Sequence, residues 1–507
     1  MLSRNYDYDL IILGGGSAGM VAGIAAGDAG LRTLLIEKSR MGGESLAAPN
    51  KALLQAAQVA QQMRTADSLG LKSVPLSRED ATDVLRHVRE TMEQKEEASG
   101  AADSLRKHGV DIRIGDARFI SPDAIELEER EGPTRLLTSH HFLLATGCVP
   151  TMPDIPGIEQ AGCVTVQEVF ELDHIPETLI VLGGDSTAVE MAQAFSRLGS
   201  RVTMVEDGPR ILPQIDFDVA EAIKQVLLSE GVEILEDTEV LEALTDGPRK
   251  VLRVRTNNHD KVLRGHAILA AGGYSPNIEG LNLSAAQVQS DQHGVRVNAK
   301  LHTTGPRVWA CGDVIGRQQL PQMAEYESRL VAHNILHPFQ QKSDPGFRLA
   351  PWITYSEPEA AHVGITEDTA QRQGISYQVF QHAFDQTGQL NTGGTPASGF
   401  VKVLATGWHG KILGAHIVAP RAGDLIQEWI TAMSQGQSMR HVADTIHVYP
   451  AHALENRSRD ADLAPMGNEP STRGVGANMR SIGLGLIGLG LIVGGAIAVQ
   501  AMKKKDS

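Results

Sequence analysis

Apolar residues along this chain fall in short unbroken runs, and most of the runs stop at a glycine or an acid. Tyr8 to Leu13 is one such run, and it leads straight into Gly14-Gly15-Gly16. A run of this length bounded by turn residues predicts a strand buried on both faces. An Ala/Gly-rich stretch that predicts a helix comes next, followed by a second run, RTLLIE, closing on Glu37. Between strand and helix, Gly14-x-Gly16-x-x-Gly19 is the spacing of a dinucleotide-binding turn. Gly14 permits the tight turn, Gly16 lets the backbone approach a pyrophosphate, and Gly19 lets helix and strand pack closely. The helix N-terminus then faces the phosphates, and Glu37, 23 residues after Gly14, can accept from a ribose hydroxyl.

The same order returns 169 residues later in ETLIVLGGDSTAVEMAQAFSRLGSRVTMVE, which closes on Glu206. Its turn is altered. Gly183 holds the first position, Asp185 stands where the second glycine belongs, and Ala188 where the third belongs. A methyl still permits close packing, whereas Asp185 brings a side chain and a negative charge to the phosphate end. The fold of a second nucleotide-binding unit is expected; whether a dinucleotide occupies it stays open. If one does, the acid at Glu206 favours a free 2′-hydroxyl, hence NAD(H) over NADP(H). Two further runs, HFLLATG and AILAAGG, end at Ala145-Thr146-Gly147 and at Ala271-Gly272-Gly273. They read as the two chain crossings between a first domain and one inserted within it. VWACGD places Gly312 and Asp313 after a strand, where the carboxylate is positioned to take hydrogen bonds from a ribityl chain.

Length, composition and charge narrow the class. The 507 residues correspond to about three domains. A net charge of −15 and 4% aromatics argue against a nucleic-acid binder. The three cysteines, Cys148, Cys163 and Cys311, show no zinc spacing and no even-numbered disulfide framework. No secretory signal is expected at the N-terminus. Residues 481–502 contain no charged side chain and are followed by three lysines. This stretch predicts a single C-terminal transmembrane helix, reached through a polar linker at 461–480, that would hold a cytoplasmic catalytic part at a membrane. The expected divisions are a first FAD-binding part at 1–150 and an inserted NAD(P) domain at 151–275. A second FAD-binding part at 276–345 and a dimerisation domain at 346–460 follow.

Taken together, these motifs resemble the FAD-dependent pyridine nucleotide–disulfide oxidoreductases, in the mercuric-reductase and dihydrolipoamide-dehydrogenase branch. The residues that carry the likeness are Gly14-Gly16-Gly19 with Glu37, Ala145-Thr146-Gly147, Gly183 to Glu190, Gly273 with Pro276-Asn277, Gly312-Asp313 and Ala324-x-x-Glu327. The resemblance runs from about residue 7 to about 460. It implies an α/β fold of two Rossmann-like domains with a C-terminal α+β dimerisation domain, one FAD per subunit, a nicotinamide site and a homodimer. It also implies that Gly43 lies at the flavin and that Lys51 pairs with Glu190 beside it.

The redox centre departs from the family. Where the family carries GGTCxxxxCxPSK, this chain reads Gly42-Gly43-Glu44-Ser45-Leu46-Ala47-Ala48-Pro49-Asn50-Lys51. Ser45 replaces the first cysteine, and the stretch is three residues short, which removes the second. A serine hydroxyl does not cycle between thiol and disulfide. In the C-terminal signature Tyr449 stands at the family's histidine position, and Glu455 falls one residue late. Tyrosine, with an ordinary pKa of about 10, is a poor base near neutrality. His447 and His452 are candidates to protonate an acceptor, or are ordinary packing residues.

The expected function is therefore an oxidoreductase passing electrons from NAD(P)H through FAD directly to a non-disulfide acceptor. The anchor points to a quinone or a membrane redox partner. The alternatives are a catalytically degenerate membrane-tethered flavoprotein, acting as scaffold or redox sensor, and a nicotinamide nucleotide transhydrogenase. No metal is expected.

Overall fold

In the computed structural model the described residues are 6–39, 41–42, 47–74, 76–317, 319–343, 349–384, 399–407 and 409–447. Strand Tyr8–Leu13 lies between Thr33–Glu37 and Arg135–Leu144, parallel to both. Val110–Ser121 extends the sheet beyond Thr33–Glu37, and Val308–Ala310 extends it beyond Arg135–Leu144. Leu10, Ile11 and Ile12 are at most 1% exposed, as a strand covered on both faces must be. Burying each such side chain stabilises the fold by about 1.5–3 kcal/mol. Helix Ser17–Asp28 packs on this sheet through Ala18, Gly19, Ala22, Gly23 and Ala26.

The second unit repeats the plan with five parallel strands. Their order is Glu233–Leu235, Arg201–Val205, Thr178–Leu182, Ala267–Ala270 and Val164–Thr165. Helix Ser186–Arg197 covers it, with Ala188, Val189, Met191, Ala192 and Phe195 all fully buried. The chain enters and leaves this unit through two short antiparallel strands, Cys148–Pro150 and Tyr274–Pro276. The two crossings are tied together beside these strands. Thr146 Oγ1 donates to the Asn277 carbonyl at 2.7 Å, and Asn277 Nδ2 donates to the Thr146 carbonyl at 3.2 Å.

The C-terminal part is an antiparallel sheet of Trp352–Thr354, Glu359–Gly364, Ile412–Ala419, Phe400–Ala405 and Gln378–Ala383. Helix Ala422–Ser434 lies on it and buries Leu425, Ile426 and Trp429. The sheet also carries a row of polar residues, in which Gln381 pairs with Lys402, Lys402 with His416, and His416 with His362. Lys402 is 2% exposed. Its ammonium reaches Asp216 Oδ2 at 3.0 Å, Asp218 Oδ1 at 2.8 Å and Glu367 Oε1 at 2.6 Å.

One expectation needs correction. The membrane-crossing helix expected at 481–502 falls outside the described residues, and among the described residues no helix is long and apolar enough to cross a membrane. The longest, Ala47–Arg64, carries Lys51 and four glutamines. The α/β units with a C-terminal α+β domain are retained in the fold assignment. The membrane span, and with it the membrane-anchored location, is withdrawn.

Candidate active site

A single cavity of about 1990 Å³ runs along the carboxyl ends of the strands of both units and reaches the C-terminal sheet. Every cofactor-binding residue expected from the sequence lines it except Gly19, which packs behind the turn, and Gly43, which lies outside the described residues. The first turn shows why glycine is needed there. Gly14 has φ +107°, and a Cβ on it would sit 2.2 Å from the Ala145 carbonyl oxygen. On Gly19 a Cβ would sit 1.9 Å from the Gly14 carbonyl oxygen. Gly16 is the N-cap of helix Ser17–Asp28, so no side chain of its own covers the first amides.

Glu37 is buried at the end of its strand and is held by two amides. Gly15 N donates to Oε2 at 2.6 Å, and Ser39 N donates to Oε1 at 2.9 Å. Asp313 follows strand Val308–Ala310. Its Oδ2 receives Cys148 Sγ at 3.3 Å, while Oδ1 is buried with no hydrogen-bond partner. Burial holds this carboxyl above its usual range. An orphaned buried oxygen on a cavity wall is the place for a donor from a bound group. Together with the open helix end and the Gly14–Gly19 cradle, these residues fit an FAD, its pyrophosphate at Gly16 and a hydroxyl at Asp313.

The second unit has the same turn and a different electrostatic character. Gly183 has φ +113°, and a Cβ there would come 2.7 Å from Gly272 Cα. Asp185 caps its helix, with Oδ1 accepting from Ala188 N at 3.0 Å. Burial pushes its carboxyl up to about 6, against the opposing pull of the Ala188 and Thr187 amides. Glu206 accepts from Gly208 N at 2.8 Å, and burial raises it to about 7. Glu190, one turn into the helix, is buried and accepts from Tyr355 N at 2.8 Å. Burial raises it to about 8, and Asp185 and Glu359 add like-charge repulsion. The turn therefore fits a dinucleotide in shape, while its phosphate end is already filled by the chain's own carboxylate.

Lys51 lines the same cavity, but among the described residues no ion pair joins it to Glu190. Its charge acts instead on Glu359, lowering a carboxyl that burial raises. His447 lies away from the cavity, with Nε2 at 3.0 Å from Glu428 Oε1 and Nδ1 at 2.9 Å from the Thr445 carbonyl. Tyr449 and His452 lie outside the described residues. The three cysteines are free. Among the described residues no His, Cys, Asp and Glu side chains group to hold a metal.

Some functional neighbours were missed by sequence reasoning. Tyr355 is one, since nothing in PWITYSEPEA marks its amide as the partner of a glutamate 165 residues earlier. Arg197 is another. Its guanidinium binds Glu230 at 2.6 and 2.9 Å and also contacts Glu357, fixing the cavity helix at its far end. Asn50 Oδ1 is buried at the cavity without a partner. The Pro-Asn-Lys order was the available signal for it.

The architecture and this site define a flavin-dependent oxidoreductase built on two nucleotide-binding units. The chain belongs to the pyridine nucleotide-disulphide oxidoreductase family, whose pattern matches residues 8–328, and the family's dimerisation domain matches 350–457. FAD as the cofactor and a homodimeric assembly follow at the level of the family. The chain is 28% identical over 451 residues to a mercuric reductase of Staphylococcus aureus, covering 88% of this chain and 81% of that protein. It is 33% identical over 456 residues to a dihydrolipoyl dehydrogenase of Thermus scotoductus, covering 87% and 94%. Its fold matches that of the HOCl-induced flavoprotein disulfide reductase RclA from Escherichia coli, in a Cu(II) complex. The TM-score is 0.78 at 23% identity, with 91% of this chain and 99% of that one covered.

Proposed function

We propose that this protein takes electrons from a reduced nicotinamide nucleotide and passes them from flavin to an acceptor that is not a disulfide. The observation that carries the reading is the state of its thiols. Cys163 and Cys311 are buried, and Cys148 is half-buried against the Asp313 carboxylate. Burial pushes Cys163 up to about 12 and raises the other two thiols as well, with Asp313 adding to the effect at Cys148. A relay needs a thiolate paired with a second sulfur, and these three free thiols, all raised, supply no thiolate near neutrality.

A bound flavin supplies hydride acceptance and release of one or two electrons. The chain's own residues seat and tune it. Gly14, Gly16 and Gly19 make room for the pyrophosphate, and Asp313 offers its free oxygen. Glu190 keeps a proton on its carboxyl at neutral pH, held in place by the Tyr355 amide. The acid at Glu206 favours a ribose with a free 2′-hydroxyl, hence NADH as the donor.

Anaerobic addition of NADH to the purified flavoprotein, followed by an acceptor screen, tests this. The flavin's visible band should bleach, and a quinone, oxygen or a tetrazolium dye should restore it over many turnovers. Catalytic turnover of a disulfide or dithiol, or no bleaching with either nicotinamide nucleotide, refutes it.

A further inference from the structure

The two turns use one backbone geometry for opposite purposes. Gly16 and Asp185 are the N-caps of their helices, at φ −71°, ψ −172° and φ −75°, ψ −178°. At Gly16 the helix end is open to an anion from outside. At Asp185 an internal anion is already bound, through Oδ1 on Ala188 N at 3.0 Å. A dinucleotide pyrophosphate arriving there needs the same amides and the same positive end of the helix dipole.

The surroundings sharpen the conflict. The titratable groups facing Asp185 are Glu190 on its own helix, Glu206 past strand Arg201–Val205, itself beside Asp207, and Tyr274 on the crossing strand. None of them carries a positive charge. Glu206 is also close to the turn, since a Cβ on Gly184 would lie 2.7 Å from its Oε2. Among the described residues the Ala188 and Thr187 amides are what stabilises an ionised Asp185, and no cation acts on it to offset two added phosphate charges.

Resting on the reading that a nicotinamide nucleotide is the donor, the geometry points to Asp185 as an internal competitor that sets nucleotide affinity at the second unit. The nucleotide enters when this carboxylate takes up a proton from solvent and yields the Ala188 amide, so binding at neutral pH consumes up to about one proton per site. In the bound state the phosphate receives the amide hydrogen bonds that Asp185 gives up. Asp185 thus sets affinity at the phosphate end of the site, away from the reacting ring. Burial raises this carboxyl to about 6, and an adjacent phosphate raises it further. As pH rises past this range the carboxylate ionises, so affinity falls toward alkaline pH.

The test is calorimetric titration of NAD⁺ into oxidised, FAD-loaded protein at pH 6, 7 and 8, in two buffers of different ionisation heat. Wild type is compared with Asp185→Ser, which keeps a capping oxygen without the charge. Wild type should weaken from pH 6 to 8 and take up protons. Asp185→Ser should bind at least about tenfold tighter at pH 8, a gain of about 1.4 kcal/mol, with little pH dependence. Binding by the serine variant alone also supports the inference. Wild-type binding that is pH-independent and as tight as the variant's overturns the inference and leaves the donor reading intact. Failure of both proteins to bind either nicotinamide nucleotide at any of these pH values overturns the two together.

Discussion

The backbone amide of Tyr355 donates to Glu190 Oε1 at 2.8 Å, tying the helix of the second nucleotide-binding unit to the first strand of the C-terminal sheet. The bond spans 165 residues of sequence and closes one wall of the cavity. It is made to a carboxyl that burial keeps protonated to about pH 8. A carboxylic acid accepts such a bond and keeps its proton for donation elsewhere.

Glu190 thereby makes stability depend on pH in a known direction. Its folded pKa lies above its unfolded one, so its contribution is full below about pH 4.5 and is lost as pH rises through about 8. Glu190→Gln keeps the acceptor and removes the titration. We expect the variant's melting temperature to change less between pH 5 and 9, and the gap in its favour to approach on the order of 4 kcal/mol at the alkaline end. Parallel thermal denaturation of the two FAD-free proteins would show it.

Asp313 should separate cofactor binding from folding. Its buried Oδ1 has no protein partner, so Asp313→Ala removes an unsatisfied atom from the FAD-free fold and a hydrogen-bond acceptor from the loaded one. FAD affinity should fall about tenfold to a hundredfold, since a hydrogen bond to a charged group is worth about 1.5–3 kcal/mol. The FAD-free protein should lose at most the weak Cys148 hydrogen bond to Oδ2 and melt within a few degrees of wild type. Fluorescence of released flavin after gel filtration measures the first, and calorimetry the second.

Lys402 is expected to be a structural cation. Burial lowers its pKa, but Asp216, Asp218 and Glu367 outweigh that and hold it above the ordinary lysine value. Its stabilising contribution is therefore present throughout the neutral range and is lost only as pH rises through that raised value. Lys402→Met strands Asp216, itself 2% exposed, and should cost about 3–5 kcal/mol in a urea titration at pH 7.

Thiol chemistry gives a further check. With all three thiols buried or half-buried and raised, the folded protein should react slowly with iodoacetamide at pH 8, while unfolded protein should label at all three. A rapidly alkylated thiol in the native state would contradict a flavin that works without sulfur.

The sequence was most legible where the backbone itself is under constraint. Gly14, Gly19 and Gly183 sit where a single methyl group would strike a neighbouring main chain, so the requirement is written directly in residue type. Glu37 and Asp313 were readable because one ends a buried strand at the cavity and the other follows one. Pairings set by side-chain direction across distant elements were not. Lys51 lies on helix Ala47–Arg64 and lines the cavity, but among the described residues no ion pair joins it to Glu190, and its effect on Glu359 is the smallest of those acting there. Lys402 looked like an ordinary polar position in FVKVLA, because its counter-ions come from residues 216, 218 and 367. The expected membrane span rested on composition at 481–502, outside the described residues, and no described helix has that character.

The placement of Val308–Ala310 also dictates an order of assembly. A ribosome delivers the last strand of the inserted unit, Ala267–Ala270, before it delivers this one. The inner sheet is complete while the outer sheet still leaves Phe142–Leu144 without their outer neighbour. During synthesis that bare edge is a template for wrong partners, and it stays so until some 40 more residues have emerged, at about 5–20 residues per second.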